Sequence, residues 1–386
     1  MSQGKRNVII QSFLRWADTA KAGDRARAAN ALGRAWLESE MTSDEREAAL
    51  MAMTWLLDDP SPKVRLALAD SIADAEDAPR ALILPLAQDQ PEIACQIIAR
   101  SPVLSDVDLV DLAGRGDEVT RVLIASRFIV SLPVCAAIAE VGGEAEIEAM
   151  LDNPGALVSR SSLRRIAERH SHSTTIRELL LSREELPGDA RHRLAISISD
   201  ALAECSFVRG VIGTRRLDHI KREACEGATV TLAGIAPQED IPDLVEHLRR
   251  NGGLTPGFLM QALCTGKLDF FANAIVNLSG LAERRVRSII SDGRFHAMRA
   301  LYESAGLTRD VAEIFVEATM LWRRADRGQE PGLFGGLTAR LVSRFRNAAK
   351  SDGVASELID MVEKLHITEH RQSARAYASF LAIEAA

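Results

Sequence analysis

Apolar and polar positions along this chain recur with the period of a helix, and prolines and glycines cut the pattern into short lengths. The clearest length runs from Asp58 to Ala75, DDPSPKVRLALADSIADA. Val64, Leu68 and Ile72 stand at i, i+4 and i+8, which draws one apolar stripe down a helix. Asp58, Asp59 and Pro60 end the preceding apolar run, because the residue before a proline is pushed out of the α region. The pattern predicts that Ser61 caps the new helix and that Pro62 takes its first position, where a missing N–H costs nothing. Ala67, Ala69 and Ala73 are small enough to let a second helix come close. So short a helix cannot bury its stripe alone, and it needs further helix pairs stacked on either side.

Similar turns recur. Asp89-Gln90-Pro91, Gly114 to Asp117, Asn153-Pro154-Gly155 and Leu186 to Asp189 are each followed by an apolar stripe, roughly 25 to 40 residues apart. Ahead of them, residues 7–57 read as three helices, the third capped by Thr42 or Ser43. No stretch sustains an alternation of period two, so no sheet is expected. The best strand candidate, Ala228 to Ala236, also reads as helix.

Further on, Gly253, Gly266, Gly280, Gly293 and Gly306 recur about every thirteen residues and predict four short helices, each stopped by a left-handed glycine. Thr255 is expected to cap the first of these and Asp269 the second. Val311 to Arg324 reads as one more helix, and residues 325–337 as a glycine-rich hinge. Helices are then expected over 338–349, 354–365 and 369–384, the last with Tyr377, Phe380 and Leu381 on one face. That face is expected to fold back as a cap or to pair with a second copy, giving a homodimer through the C-terminal helices.

These readings add up to an all-α chain: an irregular HEAT-like α-solenoid of antiparallel helix pairs with a C-terminal helical segment. The expected divisions are a repeat array over 1–205, a glycine-punctuated continuation over 206–324, and the C-terminal segment over 338–386.

Composition supports close helix packing, with 47% apolar residues but only 4% aromatic. The formal net charge of −7 gives the whole molecule no general attraction for nucleic acid or anionic lipid. The basic clusters Arg215-Arg216, Lys221-Arg222 and Arg249-Arg250 are read as a solvated helix face paired with Glu223, Glu226, Asp243 and Glu246, rather than as a patch for an acidic partner. The basic start MSQGKRNVII is read as a cap on the open end of the stack, not as a membrane contact. No apolar run approaches the roughly twenty residues that span a bilayer, so a cytoplasmic protein is expected.

Cys95, Cys135, Cys205, Cys225 and Cys264 form no C-x-x-C pair and are expected to be buried free thiols. No metalloprotease, phosphate-loop, nucleophile-elbow or kinase signature occurs. His170 and His172 flank Ser171, but at i, i+2 they cannot share a helix face to hold a metal. Trp16, Trp36, Trp55 and Trp322 fall mostly on stripe positions, as core residues would. No catalytic, cofactor-binding or metal residue is assigned.

FLRWADTA, LLDDPSPKVRLALAD, SPVLSDVDLVDL, SLRRIAERH and LTPGFLMQALCTGKLDFFANAIVNLSGL, in that order, resemble a bacterial family known as domain of unknown function 2336, over about residues 10–306. The resemblance implies an all-helical, HEAT-like fold and brings no reaction, cofactor or catalytic residue. The expectation for function is therefore a non-catalytic scaffold or regulatory adaptor with an unknown protein partner. The alternative is a nucleic-acid-binding or DNA-repair protein on a HEAT-like fold. A third reading is a regulatory module moved by the 325–337 hinge.

Overall fold

A computed structural model describes residues 3–326, 336–345 and 353–384. Among them every regular element is helical, apart from a single parallel bridge between Val130 and Ala156. By internal contacts the chain divides into two units, residues 1–186 and 187–386. The division comes ahead of the helix Gly188–Glu204, whereas the sequence reading drew its boundary behind that helix, at residue 205.

The first unit holds α1 (Gln3–Thr19), α2 (Ala22–Glu38), α3 (Ser43–Leu57), α4 (Pro62–Ile72), α5 (Arg80–Ala87), α6 (Pro91–Arg100), α7 (Asp106–Arg115), α8 (Glu118–Ala125), α9 (Leu132–Val141), α10 (Glu144–Asp152), α11 (Arg160–His170) and α12 (Thr174–Leu181). The even-numbered helices form a continuous row, each touching the next from α2 to α12. The odd-numbered helices pack α1 on α3 on α5, and α7 on α9 on α11. Val64, Leu68 and Ile72, the stripe read from the sequence, are fully buried in α4. Gly33 of α2 faces α4 so closely that a Cβ there would stand 2.0 Å from Ser71 Oγ.

In this unit one cap departs from expectation. Thr42 does cap α3, in a reciprocal box with Glu45. Ser61 occupies the cap position of α4 but its side chain accepts nothing; the Asp59 carboxylate instead takes the Ser61 amide at 2.9 Å.

Polar bonds stitch the even row at both ends of its helices. An arginine is the fourth residue of α2, α4, α8 and α12: Arg25, Arg65, Arg121 and Arg177. Each donates through Nη1 to a carbonyl of the turn just before its own helix: Ala20, Asp59, Gly116 and Ser171. The first three also reach a carboxylate of the next even repeat. Arg25 takes Asp59 at 2.6 and 3.0 Å, Arg65 takes Asp89 at 2.6 and 3.0 Å, and Arg121 takes Glu146 at 2.8 Å. In α6 and α10 the fourth residue is Ala94 and Ile147, so the ladder skips those rungs. At the other end, donors from the following repeat satisfy carbonyls that end the previous even helix. Arg127 gives to Ile98 and Ser101, Asn153 to Ala125 and Arg127, and Arg183 to Leu151. The arginines there also place positive charge at the negative end of a helix dipole.

The second unit holds α13 (Gly188–Glu204), α14 (Ser206–Ile212), α15 (Thr214–Ile235), α16 (Ile241–Arg250), α17 (Pro256–Cys264), α18 (Leu268–Ser279), α19 (Glu283–Asp292), α20 (Phe295–Ser304), α21 (Arg309–Asp326), α22 (Gly336–Phe345) and α23 (Val354–Glu384). The strand candidate at 228–236 lies in and just beyond the end of α15. The four glycine-punctuated helices are α17 to α20. Gly266, Gly280 and Gly306 follow their helices with positive φ, as expected. Gly293 is extended; it is small because a Cβ would stand 2.5 Å from the Ile289 carbonyl. Ahead of α17 the left-handed residue is Gly252, not Gly253. Thr255 caps α17 by accepting from Phe258 N at 3.2 Å. Asp269 does not cap α18, whose cap position is Lys267; it pairs with Arg287 instead.

Contacts here join helices far apart in the chain. α17 packs against α15, α18, α21 and α23. Phe271, Tyr302 and Phe315 cluster within 6.0 Å of one another in the core of this unit, the two phenylalanines stacked and Tyr302 tilted against both, and the buried Tyr302 hydroxyl bonds Thr319 at 2.7 Å. Arg323 fans onto the carbonyls of Ile289, Ile290 and Gly293, closing the end of α19. The two helices expected at 354–365 and 369–384 form one, α23. Residues 327–335 of the expected hinge lie outside the described residues, as do the side chains of Tyr377, Phe380 and Leu381.

Candidate interaction surface

The loop from α8 to α9 and the loop from α10 to α11 meet at the Val130–Ala156 bridge. Val130 N donates to the Gly155 carbonyl at 3.1 Å, and Leu157 N donates to the Val130 carbonyl at 2.9 Å. Alternate residues of extended backbone point to opposite faces. Val130 and Ala156 point inward and are buried, so Ile129 and Leu157 point out, 63% and 55% exposed. Phe128 beside them is 91% exposed, and Leu132 opens α9 half in water.

This apolar ridge is held in place rather than left loose. Asn153 Nδ2 donates to the carbonyls of Ala125 and Arg127 at 2.8 and 2.7 Å, while its Oδ1 takes the Gly155 amide at 2.8 Å. Gly155 is required: a Cβ there would come within 1.9 Å of the Phe128 carbonyl. Asn153-Pro154-Gly155 reads as a turn in the sequence, with nothing local to mark it as part of a surface. The visible signal was Phe128-Ile129, two large apolar residues that follow α8 and precede Pro133.

The chemistry sought from the sequence is dispersed. His170 is buried, and burial followed by the charge of Arg169 holds it below the usual histidine range. Its neighbour His172 is exposed and meets Glu144 at 3.0 Å; the two rings are 6.1 Å apart. Among the described residues no three of His, Cys, Asp and Glu are arranged to hold a metal ion.

All five cysteines are free, but only Cys135 and Cys264 are buried, and Cys205 is exposed. The expectation of five buried thiols holds for two: Cys95 and Cys225 are half-buried, and Cys205 falls in the turn between α13 and α14. Burial pushes the Cys135 thiol up to about 11 and the Cys264 thiol higher still, so neither is a ready nucleophile. Of the tryptophans, Trp36 is buried and Trp322 half-buried, whereas Trp16 and Trp55 are surface residues around Phe13. A cavity of about 400 Å³ between α1, α2 and α3 is lined by Phe13, Leu32, Met41 and alanines. Its one carboxylate, Glu45, is already engaged with Thr42.

The basic clusters resolve unevenly. Arg249 and Arg250 both grip Glu246, which also accepts from Asn277; these donors hold its carboxyl well below the usual range, Arg249 first. Lys221 pairs with Asp200. Arg216 is exposed, and the side chains of Arg215, Arg222, Glu223 and Glu226 lie outside the description.

A bacterial family described as "Uncharacterised protein conserved in bacteria (DUF2336)" matches residues 93–348. The chain belongs to this family. The DUF2336 match starts behind FLRWADTA and LLDDPSPKVRLALAD, two stretches that carried the resemblance in the sequence, and it runs past residue 306 to 348. It includes the whole Phe128–Leu157 ridge, but not the Arg25–Asp59 and Arg65–Asp89 rungs. No curated protein and no solved structure matches the chain. No helix among the described residues is long and apolar enough to cross a membrane.

Proposed function

We propose that this DUF2336 chain is a non-catalytic protein-interaction scaffold whose working surface includes the Phe128–Ile129–Leu157 ridge. The observation that carries the reading is the rigid exposure of Phe128. A flexible loop loses entropy when a partner orders it, and a preorganised one does not. Apolar anchors held on a fixed frame are what a protein interface uses. The nucleic-acid alternative needs a basic face with free arginines and stacking aromatics. Arg25, Arg65, Arg121 and Arg127 are instead committed to carbonyls and carboxylates within the first unit. Binding of duplex or single-stranded DNA at low salt would revive that alternative.

Paired affinity capture tests the proposal. Wild type and the F128S/I129S variant are used as baits in cells that make the protein, with quantitative mass spectrometry. Both substituted side chains are exposed, so the variant is expected to fold normally. A partner recovered by wild type and lost by the variant supports the reading. Equal recovery by both baits, or none above background, goes against it.

A further inference from the structure

A second exposed apolar group lies at one end of the α13–α15 hairpin. α13 and α15 pack along each other, with the short α14 laid across their connection. Gly213, at φ 75°, makes the turn into α15. On α14, Val208 and Ile212 are half-buried, so the helix rests on that side. Phe207 and Val211, one turn apart on the adjacent side, about 100° round the helix, are 77% and 70% exposed. Leu202, in the last turn of α13 just ahead of α14, is 60% exposed. α14 is thus apolar on two sides while the protein covers only one.

The charge of this tip departs from that of the molecule. The chain carries a net −7, yet Cys205 to Leu217 contains Arg209, Arg215 and Arg216 and no acid. Arg209 Nε is turned back onto the Ala203 carbonyl at 2.8 Å, and Arg216 is exposed. One carboxylate, Glu204, lies within the tip and a second, Asp218, borders it, with Asp200 further down α13 already paired to Lys221.

We infer that this tip, Leu202 to Arg216, docks on an anionic lipid surface. Phe207, Val211 and Leu202 would enter the boundary between headgroups and acyl chains, while the exposed Arg216 stays at the phosphates. The geometry fits a shallow insertion: Phe207 and Val211 share one side of α14, so the short helix lying in the interface plane would sink both side chains together, to the roughly 5–10 Å that interfacial helices reach. An acidic protein partner would have to supply both a pocket for Phe207 and a carboxylate in register with Arg216. A fluid anionic surface meets both demands without matched shape, and the local excess of positive charge suits it.

Flotation of the full chain with vesicles tests the inference. The vesicles are phosphatidylcholine with about 30% phosphatidylglycerol, or phosphatidylcholine alone. Wild type is expected to float with the anionic vesicles and to stay behind with the neutral ones. The F207S/V211S variant is expected to lose about tenfold or more in apparent affinity, because two exposed apolar side chains no longer leave water. R216E is expected to lose several-fold, and about 0.5 M salt should weaken wild type as surface charges are screened. Circular dichroism confirms that each variant is folded, which the exposure of these positions leads one to expect. Three results would overturn the inference. One is wild type remaining unbound with anionic vesicles. Another is F207S/V211S floating as well as wild type. The third is a photoreactive residue at Val211 cross-linking to a soluble acidic protein and not to lipid.

Discussion

The carbonyl of Phe128 occupies the space that a side chain on Gly155 would need, 1.9 Å from where a Cβ would stand. The carbonyl has little room to yield, because Val130 two residues on is bonded in both directions across the bridge to Gly155 and Leu157. Gly155→Ala is therefore expected to open the bridge and to cost about 1–3 kcal/mol in urea denaturation, within the range for substitutions that break a named local constraint. It should also reduce partner capture although no ridge side chain changes. Asn153→Ala, which removes three hydrogen bonds from the same corner, is expected to cost a similar amount.

The Arg65–Asp89 pair belongs to the inter-repeat ladder and is largely screened from water, with side chains 16% and 17% exposed. Burial works to raise the Asp89 carboxyl, but the bonds from Arg65 and the Gln90 amide bring it below the usual carboxylate range. Removing either partner strands the other charge. Arg65→Ala and Asp89→Ala are each expected to cost about 2–3 kcal/mol, and the double variant less than their sum by 1 kcal/mol or more. Additive losses in the double-mutant cycle would mean that the pair is incidental.

His192 gives the second unit a sensitivity to mild acid. Thr229 spends its hydroxyl proton on the Cys225 carbonyl at 2.6 Å, so it accepts from His192 Nε2 at 3.0 Å. That leaves Nδ1 buried without a hydrogen-bond partner. Burial, then the neighbouring His247 and Arg193, lower the ring to about 4, with Asp189 opposing. The folded value lies below the unfolded one near 6.5, so the unfolded chain takes up the proton first as pH falls. Stability from this group is full above pH 6.5 and declines by roughly 3 kcal/mol down to about pH 4. Denaturation midpoints at pH 7 and pH 4.5 should differ accordingly, and His192→Gln should flatten the difference.

Much of the fold is legible in the sequence because stripe spacing and turn chemistry act locally. Val64, Leu68 and Ile72 bury as their spacing requires, and Gly266, Gly280 and Gly306 end their helices with positive φ. Ser61 differs from its sequence expectation because Asp59, two residues earlier, binds the Ser61 amide itself, and the Ser61 side chain makes no bond to the first-turn amides of α4. The arginine at the fourth position of α2, α4, α8 and α12 is visible in the sequence, but its carboxylate partners are 24 to 34 residues away. The ridge was missed for a different reason. Phe128 and Ile129 look like core residues by type; the non-local Val130–Ala156 pairing turns Ile129 outward, and Phe128 lies in the bend just before it. Cys205 and Trp16 show the same limit, since composition does not say which apolar side chains find no neighbour.

The most direct test of the account is a photoreactive aromatic residue in place of Phe128, in the full chain and in cells that make the protein. The account predicts one dominant protein cross-link that disappears when Ile129→Glu is added. Cross-linking no stronger or more selective than from the same residue placed at exposed Glu118 would contradict it.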